Sequence, residues 1–475
     1  MTEKMPRDKL FDDIADYVLS PPCNIEAIRS IANHCLMDSL GCGLLALGDP
    51  DCTRVLGPLV PGAELETGVR VPGTSYRLDP VQAAFNLGAM VRWLDFNDTW
   101  LAREWGHPSD NLAAILAVSD YLSRNAAGSS RASVTIGEVL SAMIKAYEIQ
   151  GVIALENAFN RVGLDHVLLV RVASAAVVTG LLGGGRQEII SAVSNAWVDG
   201  GCLRIYRHGA DTASRKCWAA GDAASRAVRL ALMAMRGEAG YERALSAPDW
   251  GFYAVLFQGQ PFQINRSFGT YVMENILFKV SYPAEFHGQT AVEAAIELHP
   301  EVVQGLDAIS RVVIQTQESA YRIINKEGRL RNPSDRDHCL QYMVAVALIY
   351  GDLTSEHYSD RIAADPRIES LRIKMQILEN TDFSRDYLDP EKRSIANAVQ
   401  VFYSDGTCTE SVLVEYPLGH RKRRSEAIPL LNQKFAANLR TRLPEERCSE
   451  IVTLFENLSG LEKMPVSSFM DWFVV

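Results

Sequence analysis

Apolar residues recur at helical spacing through most of the first 250 positions. In RDKLFDDIADYVLS, EAIRSIANHCLMDSLGCGLLAL and GEVLSAMIKAYEIQGVIAL they form the stripe that an amphipathic helix buries. DPVQAAFNLGAMVRWLDF opens on an Asp-Pro start signal and reads helically into LDFNDTW. DNLAAILAVSDYLSR and SRKCWAAGDAASRAVRLALMAMRG are Ala-rich helices whose small residues allow close helix–helix packing. The most apolar run, VLLVRVASAAVVTGLLGG at 167–184, is interrupted by Arg171 and ended by glycines. It therefore reads as a buried helix rather than a membrane span.

The period changes near residue 270. ISRVVIQTQES alternates β-branched and polar residues, as a strand does. AVQVFYSDGTCTESVLVEY holds two such runs around Asp405-Gly406, a hairpin signal. Between them QYMVAVALIYGDLTSEHYSD reads as helix, and after YPLGH the chain turns helical again. The predicted fold is mainly α. A helical domain spans 1–269, an α+β domain is inserted at 270–418, and helices at 419–475 pack back on the first domain.

Composition narrows the function classes. The 475 residues carry 47% hydrophobic and 22% charged positions, enough for a sizeable packed core. A net charge of −11 disfavours nucleic-acid and anionic-membrane partners, because phosphate neutralisation needs a basic surface. An anionic substrate must then be met by a local basic cluster. Nine scattered cysteines form no C-x-x-C pair, which points to reduced thiols and away from structural zinc or an iron–sulfur cluster. The charged N-terminal stretch lacks the apolar core of a signal peptide, so a cytoplasmic location is expected.

Four stretches gather chemistry. In LDFNDTWLAREWGHPSDN, Asp95 and Asp98 stand three apart beside Thr99, and His107 follows. Two carboxylates at i, i+3 share a helical face if the helix persists, and can hold a cation, do acid/base work or cap a loop. No P-loop or H-E-x-x-H motif accompanies them, and Gly183-Gly184-Gly185 lacks Rossmann spacing. His107 precedes a helix whose N-cap is expected at Ser109 or Asp110, a position that lowers a histidine pKa. CLRIYRHGADTASRKCW crowds Arg204, Arg207, His208, Arg215 and Lys216, either a carboxylate receptor or a solvated loop. Lys279 and His287 flank Pro283 before an Ala-rich helix. Tyr342 stands one turn after His338, as a proton donor or as an ordinary core tyrosine. The run GHRKRR at 419–424 reads as a solvated turn. These patterns suggest acid/base chemistry on a small polyanion, without a cofactor motif.

VPGTSYRLDPVQAAFNLGAMVRWLDFNDTWLAREWGHPSDNL, ENAFNRVGLDHVLLVRVAS, SRKCWAAGDAASRAVRLALMA, SYPAEFHGQTAVEAA, NPSDRDHCLQYMVAVAL and EYPLGHRKRR resemble the MmgE/PrpD family over essentially the whole chain. The resemblance implies a large helical domain, an α+β lid and an active site in the cleft. The family's D-x-x-D-T segment falls on Asp95 and Thr99, its H-P-S histidine on His107, and its lysine before the Ala-rich helix on Lys216. The K-x-x-x-P-x-x-x-H element falls on Lys279 and His287, and the tyrosine before MVAVAL on Tyr342. The segment WLAREWG at 100–106 is longer than in the family's decarboxylases and similar to its dehydratases. That implies loss of water from 2-methylcitrate to give 2-methyl-cis-aconitate in propionate catabolism. Citrate or cis-aconitate hydration, decarboxylation and epimerisation are the alternatives on the same fold. The implied catalytic set is Asp95, Thr99, His107, Lys216, His287 and Tyr342, with Arg204, Arg207, His208, Arg215 and Lys279 holding the tricarboxylate. His107 would move the proton, oriented by Asp95 or Asp98, and His287 or Tyr342 would serve the hydroxyl. The expected enzyme needs no metal or other cofactor, and a homodimer is the expected assembly.

Overall fold

A computed structural model of the chain describes residues 7–126, 132–207 and 212–475. The helical periods of the N-terminal half become helices Lys9–Leu19, Glu26–Ala46, Pro80–Arg92, Leu112–Arg124, Ile136–Glu156, Val167–Leu181 and Arg215–Met235. Their starts follow local chemistry. Asp79 accepts hydrogen bonds from the Val81 and Gln82 N–H groups ahead of Pro80, and Thr135 and Glu138 cap Ile136–Glu156 reciprocally. The expected close packing occurs between Pro80–Arg92 and Arg215–Met235. A Cβ on Gly88 would stand 2.6 Å from the Gly221 Cα, so only glycine fits at that crossing. The apolar run at 167–184 is a buried helix, with Arg171 paired to Asp199 at 2.7 Å. Among the described residues no helix is long and apolar enough to cross a membrane.

Two main apolar cores result. The first joins the N-terminal helices to the last fifty residues: Leu431, Phe435 and Leu439 of Arg424–Arg440 sit in one cluster with Leu36, Leu40 and Leu44. The second lies under a four-stranded sheet ordered Met375–Glu379, Ile309–Thr316, Asn397–Tyr403, Val412–Val414. Val312, Ile314, Val399 and Val401 pack there against Val292 and Leu298 of Gln289–Val302 and Met343 and Val346 of Leu340–Tyr350. The hairpin signal is realised, with Ala398 opposite Leu413 and Gly406 at φ +89 in the turn, a conformation glycine adopts without strain. The strand Met375–Glu379 is an addition that periodicity did not predict. It is a five-residue edge strand, mostly solvent-facing, and pairs in parallel with Ile309–Thr316.

One helical expectation fails where the chemistry begins. The helix from Pro80 ends at Arg92, and Asp95 takes φ 51, in the left-handed region that Asp tolerates better than most residues. Asp95 and Asp98 therefore do not share a helical face.

Candidate active site

The turn after Arg92 sends the chain across the boundary between the two cores. Thr99 pairs with Leu277 through both backbone hydrogen bonds (2.8 and 3.0 Å), and Trp100 pairs with Gly106 in the same way (2.8 and 3.0 Å). The first bridge lays Lys279 beside Asp95, and the second closes WLAREWG into a small loop that returns the chain to His107. The buried Asp95 carboxylate lies 2.6 Å from Arg92 Nη1, 2.8 Å from Lys279 Nζ and 3.4 Å from His107 Nε2. Burial by itself would raise the Asp95 pKa, but the Arg92 and then the Lys279 charge hold it well below the usual carboxylate range.

His107 caps the turn Pro108–Asn111 that leads into Leu112–Arg124, without a side-chain capping bond of its own. Its Nδ1 is 2.7 Å from the Asp98 carbonyl oxygen, so Nδ1 carries the proton and donates it there. Nε2 is left unprotonated, facing Asp95. Burial, then the Arg92 and Lys279 charges, hold the imidazole well below its ordinary pKa, against the pull of Asp95. The expectation that Ser109 or Asp110 caps this helix start is corrected: both lie inside the turn. The capping carboxylate is Asp98, whose Oδ1 accepts from Ser109 N at 3.1 Å and whose Oδ2 accepts from Tyr147 Oη at 2.6 Å. Asp98 is thus a holder of the loop, its carboxyl pushed up to about 6 by burial.

These groups line a cavity between the two cores. Arg204 and Arg207 line it from the short turn at 204–207, and Lys279 lines it as well. Arg207 grips Asp165 with Nε at 2.5 Å and Nη2 at 3.2 Å. Arg204 lies over the Trp105 ring at 5.1 Å and only 3.6 Å from Glu104, with its Nε and Nη1 lacking hydrogen-bond partners. Four cations (Arg92, Arg204, Arg207, Lys279) and two carboxylates (Asp95, Glu285) line the cavity, an excess of positive charge in a chain of net charge −11. The cavity volume is about 20 Å³.

Other expected residues stand elsewhere. Lys216 sits behind the wall, fully buried, with Nζ 2.6 and 2.7 Å from the Asp337 carboxylate and 3.1 Å from His338 Nδ1. His287 lies behind Phe286 and Trp105, held by Glu285 at 2.8 Å and 3.1 Å from Tyr387 Oη. Two placements are corrected. The Tyr342 hydroxyl donates to the His357 carbonyl at 2.7 Å and its ring stacks on Tyr358, facing a different, outer pocket. Arg215 pairs with Asp222 at 3.1 Å and stacks on Trp218, because the start of its helix points it outward. His208 lies outside the described residues.

Four polar lining residues escaped the sequence patterns: Arg92, His166, Glu285 and His338. Arg92 carried a signal, an arginine three positions before an aspartate. Glu285, two before His287, carried a weaker one. His166 is buried among Asp110, Asp165 and Arg207, with neither ring nitrogen hydrogen-bonded, and nothing in its local sequence marks it. His338 is brought in by the turn after Pro333–Arg336. Burial and then Lys216 press its pKa down to about 4. Donor atoms of Asp95, Asp337 and His338 lie within 4.8 Å of one another, close enough to meet one cation. Both carboxylates are already matched by Arg92, Lys279 and Lys216.

A buried histidine–aspartate pair in a cationic cavity between a helical core and an α+β core suits proton transfer on an organic anion. Models of the MmgE/PrpD N-terminal domain and C-terminal domain match residues 12–265 and 282–459. The chain belongs to the MmgE/PrpD family. It is 57% identical over 471 residues to a 2-methylcitrate dehydratase of Escherichia coli (strain K12), covering 98% of each chain. It is 58% identical to the protein of that name from Cupriavidus necator, covering 98% of this chain and 97% of the relative. A relative from Yarrowia lipolytica, named 2-methylcitrate dehydratase, mitochondrial, is 51% identical across 98% of this chain and 90% of its own.

Proposed function

We propose that the protein dehydrates 2-methylcitrate to 2-methyl-cis-aconitate without a metal or other cofactor. The observation that carries this reading is the cavity itself: a neutral His107 with Nε2 free, in an enclosed space where cations outnumber carboxylates. The relatives that share its full length bear the name of that activity.

The reaction removes a proton alpha to a carboxylate and expels a hydroxyl from the neighbouring carbon. His107 Nε2 accepts the proton, and Asp95 at 3.4 Å stabilises the imidazolium that forms. As the proton leaves, negative charge builds on the adjacent carboxylate. Arg204, whose Nε has no hydrogen-bond partner, and Lys279 are placed to meet it in a water-poor site, where such fixed charges act most strongly. His338 takes the place of Tyr342 at the departing hydroxyl: its Nε2–H gives the proton with which the hydroxyl leaves as water, while Nδ1 takes a proton from the Lys216 ammonium 3.1 Å away, which Asp337 holds in place. The room in the cavity is far below the volume of a tricarboxylate. Segment 270–418 therefore acts as a lid that opens from the helical body, 1–269 with 419–475, to admit substrate and closes to exclude water.

Incubating the protein with 2-methylcitrate, citrate and cis-aconitate, while following alkene absorbance and carbon dioxide, tests the reading. Alkene from 2-methylcitrate without carbon dioxide is expected. Carbon dioxide release from cis-aconitate, or tight binding with no turnover of 2-methylcitrate, would overturn it.

A further inference from the structure

The cavity has two unlike faces. Its polar face is built from Arg92, Asp95, His107, Arg207 and Lys279. Four further lining residues are apolar: Leu101, Trp105 and Phe286 belong to a small cluster of their own, and Ile323 packs against both that cluster and the second core. Leu101 and Trp105 come from the WLAREWG loop, and Phe286 and Ile323 come from the second-core side, so the wall is complete only when the two sides meet. It is rigidly backed. The Trp105 ring meets His287 edge-on (87°), while Tyr387 in the same cluster donates from Oη to the Ala102 carbonyl. Carboxylates and a hydroxyl have no use for such a surface, and a cavity built only to hold a tricarboxylate would gain by replacing it with donors.

We infer that Leu101, Trp105, Phe286 and Ile323 form a receptor for the methyl substituent of the substrate, so that this wall sets preference for 2-methylcitrate over citrate. The inference rests on the proposed activity and names its specificity device. Citrate differs from 2-methylcitrate by one hydrogen in place of that methyl. A single carbon set in an apolar pocket discriminates by roughly 10- to 200-fold in kcat/KM. Its position also matters: the methyl-bearing carbon is the one that loses the proton to become part of the alkene, so a wall that seats the methyl presents that proton to His107.

The test compares kcat/KM for 2-methylcitrate and citrate in wild type, Ile323→Ala and Ile323→Phe, with Leu101→Ala as a further enlargement. Ile323 is only partly buried, so its truncation should leave the fold intact. Expected is a wild-type preference for 2-methylcitrate of about tenfold or more. Ile323→Ala should lower that ratio mainly through the methylated substrate, and Ile323→Phe should invert it by filling the methyl's space. Calorimetric affinities for cis-aconitate and 2-methyl-cis-aconitate should shift in the same order, a readout independent of turnover. A wild-type ratio near one, or a ratio unmoved in all three variants, overturns the methyl receptor while leaving the dehydration intact. Absence of turnover of either substrate by the wild type overturns the proposed activity instead.

Discussion

Asp95→Asn isolates a charge that the geometry makes costly to remove. Asparagine keeps the shape and tolerates the left-handed backbone at φ 51, so the substitution adds no backbone strain. Asp95 lies 2.6 Å from Arg92 and 2.8 Å from Lys279, with Lys279 Nζ also 2.5 Å from the Asp95 carbonyl oxygen. At an effective dielectric of about 20, each ion contact is worth roughly 6 kcal/mol before the several kcal/mol spent desolvating the carboxylate. Removing one partner of a buried pair leaves the other uncompensated, and the net loss in such cases is about 3–5 kcal/mol. At roughly 2 °C per kcal/mol for a long chain, Tm should fall by ~6–10 °C. Differential scanning fluorimetry at pH 7.5 reads this directly. The double variant Asp95→Asn with Lys279→Met should recover part of the loss, because the stranded ammonium is gone. The sign with pH is also set. The folded Asp95 pKa is depressed, so its stabilisation is present above the unfolded carboxylate value of about 4 and is lost as pH falls below that toward the folded value. A Tm change under about 2 °C, or double-variant losses that simply add, would refute the claim that Asp95 is the central counter-charge.

Four further outcomes are expected. The acid limb of kcat/KM should lie well below the ordinary imidazole value of about 6.5, because burial and then the Arg92 charge hold His107 below it; a limb centred near 6.5–7 would remove it as the base. The buried Glu104 carboxyl is pushed up to about 7, so the folded state favours its protonated form, and its stabilisation is lost as pH rises from 4.5 toward 7. Glu104→Gln should flatten the fall in Tm over that window, and an unchanged slope would contradict the shift. Tyr342→Phe should keep activity within a few-fold, since its hydroxyl serves the His357 carbonyl; a loss of orders of magnitude would return Tyr342 to the chemistry. Dialysis against a chelator should leave activity unchanged, because Arg92, Lys279 and Lys216 already neutralise the carboxylates nearest a cation position; inactivation restored by added metal would show otherwise.

Much of this protein is readable without its coordinates. The helical period located the helices, because burying an apolar stripe at 3.6-residue spacing is a local demand that each segment meets by itself. Alternation located Ile309–Thr316, and Asp405-Gly406 located the hairpin, since both signals lie within a few residues of the structure they specify. Of the basic crowding at 204–216, Arg204 and Arg207 line the cavity. Three things were decided only in tertiary structure. The edge strand Met375–Glu379 depends on parallel pairing with a strand some sixty residues earlier, which no local period encodes. The roles of Asp95 and Asp98 separated because the chain leaves the helix at Arg92 and turns, sending one carboxylate into the cavity and the other to cap Ser109. The inward or outward direction of equally suggestive residues was also settled by packing. His338 faces the site while Tyr342, one turn on in the same segment, faces away, and Arg207 points in while Arg215 points out. LDFNDTWLAREWGHPSDN displays its carboxylates and histidine in the sequence, because residue type is local. Which of them share a cavity depends on side chains brought from the 166, 204, 285, 323 and 338 regions, because electrostatics and burial act through space rather than along the chain.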